Sequence, residues 1–344
     1  MLGMDRGHES GRVSVVTPTL RRPDEVRGLV ANLHESDVLP MELILVDGAP
    51  AGEDETEVVV GELSEATRIP IRYLRAGGGT AIQRNVGIDA ATGEYVAFVD
   101  DDVRLAPDFL SQILDAFATD SQARIAAISG CLTNQRLDAD ASRRWRWYRR
   151  LRVFTTWAPG AYDYQSGYPI NRYLQPAYTG LRDVDFISSN SAVWRRSVLE
   201  AGLRFDEFFR DFGVLEDAHL ALQARRTWRI CEVGGAHAIH LDSPRGREQA
   251  WLVAWKTAVN YRFVFVDIVP ERSWQNEARF WRVQLVDLLA LTAALVRHPS
   301  RRRWDWVAGK ARGIVAATNI KSAESGRRLL DHERRRSARS LSSK

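Results

Sequence analysis

Short apolar runs alternate along this chain with segments whose apolar residues recur every three or four positions. Val13 to Val16, Leu43 to Val46, Ile69 to Leu74, Tyr95 to Val99 and Ile125 to Ser129 predict strands. Behind Pro23, Asp24 and Glu25, the residues Val26, Leu29, Val30 and Leu33 fall at i, i+3, i+4 and i+7, one buried face of a helix. A weaker helix is expected over 54–64, a helix from Ala81 to Ala91 capped by Thr80, and another through Phe109, Leu110, Ile113, Leu114 and Phe117. Strand and helix alternating from 13 to 129 argue for an α/β fold, a doubly wound and mostly parallel sheet with right-handed crossovers.

The pattern loosens after residue 130. Arg143 to Arg152 holds six arginines around a helical face of Trp147, Leu151 and Phe154. Residues 157–182, rich in Gly, Pro and Tyr, predict a long loop or lid. Asp185 to Asn190 reads as a strand entering a polar turn, with the strand resuming over Ser191 to Trp194. A helix begins near Glu216, and two strands, 229–233 and 236–240, follow it. From Gln249 to about 319 the chain reads as helical, and the basic, Ser-rich residues 321–344 as a disordered tail. The expected division is a flexible leader over 1–11, a catalytic domain over 12–245 and a helical region over 246–320. Within the domain, a nucleotide-binding half covers about 12–103 and an acceptor half about 104–245.

Composition adds limits. With 344 residues the chain buries a real core, and 45% hydrophobic with 27% charged residues is ordinary for a globular protein. The net charge of +4 hides arginine clusters at 143–152, 301–303 and from 327 onward, which suit phosphates, nucleic acid or an anionic membrane surface. Cys131 and Cys231 read as buried free thiols. The opening residues lack an apolar signal core, and no stretch reaches the ~18 apolar residues of a membrane span. A cytoplasmic location is expected.

Candidate chemistry gathers at strand ends. Tyr95 to Val99 runs straight into Asp100, Asp101 and Asp102. Open α/β sheets bind ligands outside the carboxyl ends of their strands. Adjacent carboxylates demand a positive charge between them, and a hard divalent cation carrying a diphosphate supplies one. Gly77, Gly78 and Gly79 allow close backbone approach, but no Walker loop or dinucleotide fingerprint surrounds them.

Five stretches resemble, in order, the motifs of family 2 glycosyltransferases: Val15 to Thr19, Leu43 to Gly48, Gln83 to Gly87, Gly93 to Asp102, and Glu216-Asp217. The resemblance spans roughly 12–245 and implies a GT-A fold and inverting transfer of a sugar from a nucleotide-diphosphate donor. It implies that Thr17, Pro18 and Thr19 lie along the base and that Asp47 accepts from its N3–H, favouring UDP or dTDP. Gly48 stands where the family often has a second acid. Arg84 resembles an arginine near base and diphosphate. Asp100 to Asp102 resembles the DxD motif, with Asp100 toward ribose or a metal-bound water, Asp102 on the metal, and Asp101 open between the two roles. Asp217 resembles the catalytic base, with Glu216, Ser188, Ser189 and Asn190 on the acceptor side. His240 resembles a histidine that completes the metal site with Asp102 and Asp100, and His237 is its rival. The cofactor implied is Mn²⁺ or Mg²⁺.

The Gln-x-x-Arg-Trp motif of processive synthases is missing, since Gln223 to Trp228 has the wrong spacing, so one sugar is expected per transfer. The expected acceptor is a glycan or lipid-linked saccharide, with contact to the inner membrane face through 143–152 and the C-terminal helices, and no nucleic acid. The alternatives are a nucleotidyltransferase, disfavoured by the lack of glycines after the first strand, and a catalytically silent nucleotide-sugar-binding protein.

Overall fold

The computed structural model of the protein describes residues 12–135, 143–174, 177–211, 213–243 and 249–342. The leader expected over 1–11 and Phe212 lie outside them. In chain order the elements begin with β1 (Val13–Thr19), α1 (Pro23–His34), β2 (Glu42–Asp47), α2 (Glu55–Ala66), β3 (Ile71–Arg75) and α3 (Gly79–Ala90). There follow β4 (Tyr95–Val99), β5 (Val103–Leu105), α4 (Phe109–Ala118), β6 (Ile125–Leu132), α5 (Arg143–Arg150), β7 (Tyr162–Asp163) and β8 (Tyr168–Pro169). Next come β9 (Leu181–Val184), β10 (Ser191–Arg195), α6 (Arg196–Glu200), α7 (Glu216–Ala224) and β11 (Arg229–His240). The helices α8 (Ala250–Ile268), α9 (Trp274–Arg297), α10 (Arg301–Ala317) and α11 (Ala323–Ser342) complete the chain.

Two compact units form, Met1–Arg136 with Pro176–Gly246, and Leu137–Gln175 with Arg247–Lys344. The segment 137–175, expected within the acceptor half, therefore groups with the C-terminal helices.

In the first unit the sheet runs β3-β2-β1-β4-β10-β6-β11-β5, with β9 also on β11. The strands β3, β2, β1 and β4 are mutually parallel, and β10 is antiparallel to both β4 and β6. Every residue of β1, β2 and β4 is buried, as their apolar runs predict for a sheet covered on both faces. On α1 the buried residues are Val26, Leu29, Val30 and Leu33, the stripe read from the sequence. Gly87 lets α3 lie directly on β1, since a Cβ there would stand 2.2 Å from Val16.

Several local expectations are corrected. Gly78, at φ +99°, is the N-cap of α3, and Thr80 lies inside the helix. The strand expected from Asp185 is instead β9, where Val184 reaches the core by pairing with Ile230. The two strands expected over 229–240 are one, interrupted by a bulge: between Glu232 and His237 five steps along β11 span two along β6, from Ser129 to Cys131. Gly234 and Gly235 occupy that bulge, and a Cβ on Gly234 would meet the Tyr178 carbonyl at 2.2 Å.

In the second unit α5 buries Trp145 and Tyr148 and exposes Trp147, and Leu151 just past its end is exposed too, so the face predicted through Trp147 and Leu151 is wrong. The helix stops at Arg150, and Arg152 turns at φ +47°, which ends the helical phase before Phe154. Trp145, Tyr148, Val153, Phe154, Tyr168, Ile170 and Val283 form one core cluster. Part of the expected lid is the β7–β8 hairpin, held by the buried Asp163, which accepts from Thr155 and Ser166. The helices α8 and α10 touch backbone to side: a Cβ on Gly309 would sit 2.1 Å from the Trp251 carbonyl, and one on Gly313 2.6 Å from that of Trp255. The tail expected to be disordered runs as α11, where Glu324–Arg328 and Asp331–Arg334 pair at helical spacing.

Candidate active site

The carboxyl ends of β1, β2 and β4 frame a crevice where the strand order reverses. Thr17, Pro18 and Thr19 at the end of β1 are all buried. The Thr17 hydroxyl has no hydrogen-bond partner, and the Thr19 hydroxyl donates to Asp101 at 2.7 Å. The α3 side chain of Gln83 donates to the Thr19 carbonyl at 2.8 Å and to that of Val46 at 2.7 Å, clamping β1 to β2 where both end. Asp47 is fully buried, accepting from the Ala49 amide at 2.8 Å and from the Tyr73 hydroxyl at 2.9 Å. Burial first, and then this bond to an acid, raise the Tyr73 hydroxyl well above the ordinary phenol range.

The three acids after β4 take different sets of partners, with Arg22 shared between Asp101 and Asp102. Asp100 accepts from Arg84 at 2.8 Å. Asp101 turns inward to Thr19 and to Arg22, whose guanidinium is 2.8 Å away, and burial pushes its carboxyl up to about 6 against those partners. Asp102 meets Arg22 at 3.3 Å, the Ser243 amide at 3.0 Å and His240 Nε2 at 3.1 Å. Burial raises the Asp102 carboxyl, but His240, Arg22 and Ser243 together hold it below the usual value. Part of the positive charge that adjacent carboxylates demand thus comes from the chain itself.

The register of β5 on β11 explains how a histidine 138 residues away reaches this turn: Val103, the residue after Asp102, lies opposite His240. His240 is further fixed by Asn134, which bonds its amide and its carbonyl, and by Gln135, whose side-chain amide is 2.9 Å from Nδ1. With Gln135 assigned as donor to Nδ1, the Nε2–H points at Asp102. The Asp102 bond raises the His240 pKa despite burial. Among the described residues no three His, Cys, Asp or Glu side chains converge on one point, and Asp100 is not brought to Asp102 and His240. His237 stands earlier on the same strand, paired with Cys131.

On the opposite side, α7 opens from Leu215 at φ +69°. Asp217 in its first turn accepts from its neighbour's amide (Ala218, 2.7 Å) and from the Ser189 amide at 3.3 Å. Glu216 points elsewhere: it is buried and accepts from Arg84 at 3.0 Å. Burial, with the Asp217 charge adding and Arg84 opposing, pushes it up to about 7. The glycine at 213 leaves room for that carboxylate in this position, since a Cβ there would lie 2.2 Å from Oε1 and the Glu216 side chain would have to shift. Ser188 is half-buried, the Ser189 hydroxyl is buried without a partner, and the Asn190 carbonyl accepts from the Asp100 amide at 3.4 Å. Arg84 therefore spans the crevice, one guanidinium nitrogen on Asp100 and the other on Glu216, beside Asp217.

Residues 14–199, more than half of the chain, match glycosyl transferase family 2. The chain belongs to that family. Among curated relatives of this glycosyltransferase-family chain is TuaG of Bacillus subtilis (strain 168), named as a teichuronic acid biosynthesis glycosyltransferase. It is 31% identical over 104 residues, 30% of this chain and 40% of TuaG. The uncharacterized glycosyltransferase YibD of Escherichia coli (strain K12) is 27% identical over 108 residues, 31% of this chain and 30% of YibD. The matches thus span well under half of these relatives' length. A mannosyltransferase of Pyrobaculum calidifontis, solved with GDP-Man and Mn²⁺, shares the fold at a TM-score of 0.54 and 19% identity, over 90% of this chain and 86% of its own.

Arg22, Tyr73, Gln83 and Gln135 escaped the sequence reading. Arg22 and Gln83 sit within or beside quoted motifs; Tyr73 and Gln135 carry no local signal, because only the sheet register brings them to Asp47 and His240.

Proposed function

We propose that this chain transfers one sugar from a nucleoside-diphosphate donor to a hydroxyl acceptor with inversion. The observation that carries the reading is the Arg84 bridge, which joins the acids after β4 to the helix start that bears Asp217. The acceptor oxygen attacks the anomeric carbon as the bond to the diphosphate oxygen breaks, and that oxygen keeps the electron pair. Asp217 takes the acceptor proton, held in place by the Ser189 and Ala218 amides. Thr17, Pro18, Thr19 and Asp47 would line the base, with UDP or dTDP favoured, and Asp100 the ribose side.

A divalent cation fits the donor set. Asp102 Oδ1 and His240 Nε2 are 3.1 Å apart, close to the ~3 Å between neighbouring ligands on an octahedral ion with bonds of about 2.1 Å. Asp102 and His240 would hold it, leaving other positions for phosphate oxygens and water, and a set that mixes imidazole with carboxylate suits Mn²⁺ better than the oxygen-preferring Mg²⁺. Such an ion supplies charge neutralisation for the departing diphosphate. Accepting a metal at Nε2 requires the proton on Nδ1, so Gln135 would turn its carbonyl oxygen toward that nitrogen. The enzyme would act in the cytoplasm at the inner membrane face, on a glycan or lipid-linked saccharide.

The test is a thermal-shift panel of UDP, dTDP, GDP and CMP, each with Mn²⁺, Mg²⁺ or chelator, on wild type and Asp102→Ala. A ligand at a hundred times its Kd adds about 2.7 kcal/mol of stability, a shift of several degrees. One nucleoside diphosphate is expected to act only with metal and only on wild type. No shift from any of them would refute the donor site.

A further inference from the structure

We propose that the outward face of α9, with the arginine-rich turn after it, docks on an anionic lipid bilayer. This rests on the proposed transfer reading only for its purpose, which is to hold the enzyme near a lipid-linked acceptor. The surface itself is argued from packing and charge.

A helix on a protein surface ordinarily has one apolar face and one polar face. α9 has two apolar faces. Its inward side buries Phe280 and Val283. Its outward side presents Leu285, Leu289 and Val296, exposed by 54%, 59% and 76%. With Thr292 these residues fall within about 60° of arc at 100° per residue, one continuous stripe over three turns. Trp304, 61% exposed, follows in the first turn of α10.

Charge selects the occupant. Both acids of α9 are engaged within their own unit: Glu277 pairs with Arg262 and Arg272, and Asp287 accepts from Tyr148 and lies 3.7 Å from Lys310. The stripe therefore carries no carboxylate of α9, while Arg297, Arg301, Arg302 and Arg303 stand exposed at its end. In a two-fold pairing of this face, an apolar stripe ending in four arginines would bring like charges together or leave them without anions. An anionic bilayer meets both needs: acyl chains cover the leucines, headgroups meet the arginines, and a tryptophan sits at the boundary. No helix among the described residues is long and apolar enough to cross a membrane, so the contact proposed is along the surface.

Flotation of the full chain with phosphatidylcholine vesicles, and with vesicles containing phosphatidylglycerol, tests this. Binding is expected only to the anionic vesicles and is expected to weaken with salt. R301Q/R302Q/R303Q should lower the partition coefficient about a hundredfold, and L285S/L289S should abolish binding at physiological salt. Both variants should keep the wild-type melting temperature and its shift with nucleoside diphosphate and metal, which separates failure here from failure of the donor site. Trp304→Phe should remove part of the blue shift in tryptophan emission on anionic vesicles. The proposal is overturned if wild type does not float with anionic vesicles at low salt, or floats equally well in both variants. It is also overturned if sedimentation shows a dimer that L285S/L289S dissolves and no vesicle binding.

Discussion

Replacing Arg84 with methionine isolates the charge that spans the crevice. Methionine keeps an unbranched, flexible chain against Phe205, over whose ring the guanidinium lies at 5.6 Å. What disappears is the cation between Asp100 and Glu216. The Asp100 side chain is 27% exposed, so water screens much of its loss, whereas Glu216 is only 9% exposed and must carry its charge unpaired or take a proton. Breaking a buried pair costs about 3–5 kcal/mol, and the exposed half lowers the expectation to roughly 3 kcal/mol at pH 8. The pH dependence has a definite sign. Glu216 already titrates near 7 in the folded chain, above its ordinary value, and losing Arg84 raises it further. A group raised on folding contributes its stability below the unfolded pKa and loses it as pH rises through the folded one. The gap between wild type and Arg84→Met should therefore narrow from pH 8 to pH 5.5. Urea unfolding followed by far-ultraviolet circular dichroism at the two pH values measures it. In a Glu216→Gln background the same substitution should cost about 1 kcal/mol or less, the difference being the coupling energy. A cost under ~1 kcal/mol at pH 8, or a cost that Glu216→Gln does not reduce, would refute the argument.

Four further outcomes are expected. Asp217→Asn should lower sugar transfer by about 10²–10⁴-fold while leaving the nucleoside-diphosphate thermal shift intact, since the amide cannot accept the acceptor's proton. Tyr73→Phe removes the hydroxyl 2.9 Å from Asp47; it should cost about 1.5–3 kcal/mol in urea unfolding and weaken nucleotide binding by calorimetry. Gly309→Ala should destabilise by about 1–3 kcal/mol, because the new methyl meets the Trp251 carbonyl. Gly61→Ala, on α2 where nothing lies within 4 Å, should instead stabilise by about 0.5–1 kcal/mol.

The parts of the fold legible in the sequence are those fixed by local chemistry. Tyr95 to Val99 could only be a buried strand, and the α1 stripe from Val26 to Leu33 names its own inward face. The motif residues Asp102 and His240 meet, but the sequence could not show why: the register of β5 on β11 does it, across 138 residues. Nor could it show that Arg22 and Arg84 are consumed by the acids. One caps a helix and the other sits in the middle of one, places where an arginine is ordinarily expected to face solvent. The helix α5 misled because its three aromatics, Trp145, Trp147 and Tyr148, do not share one face, and the helix ends at Arg150, before the phase that would have carried Leu151 and Phe154. The tail misled in the opposite direction, since its arginines read as a disordered run, yet glutamate and aspartate partners four and three residues before them suit a helix.

The bulge in β11 acts as a counter. Side chains on a strand alternate between faces, so each residue added or removed upstream reverses what every later position presents. Here five steps answer two, an excess of three, and His240 lies downstream of that count. Losing either Gly234 or Gly235 would keep the strand's length nearly intact and its pairing with β5 within reach, yet turn the imidazole away from Asp102. Length variation at this one spot is thus a functional change written in parity, and a side chain at Gly234 would also have to displace the Tyr178 backbone. In comparing relatives, the number of residues between Glu232 and His240 therefore bears on the site as directly as which residues they are.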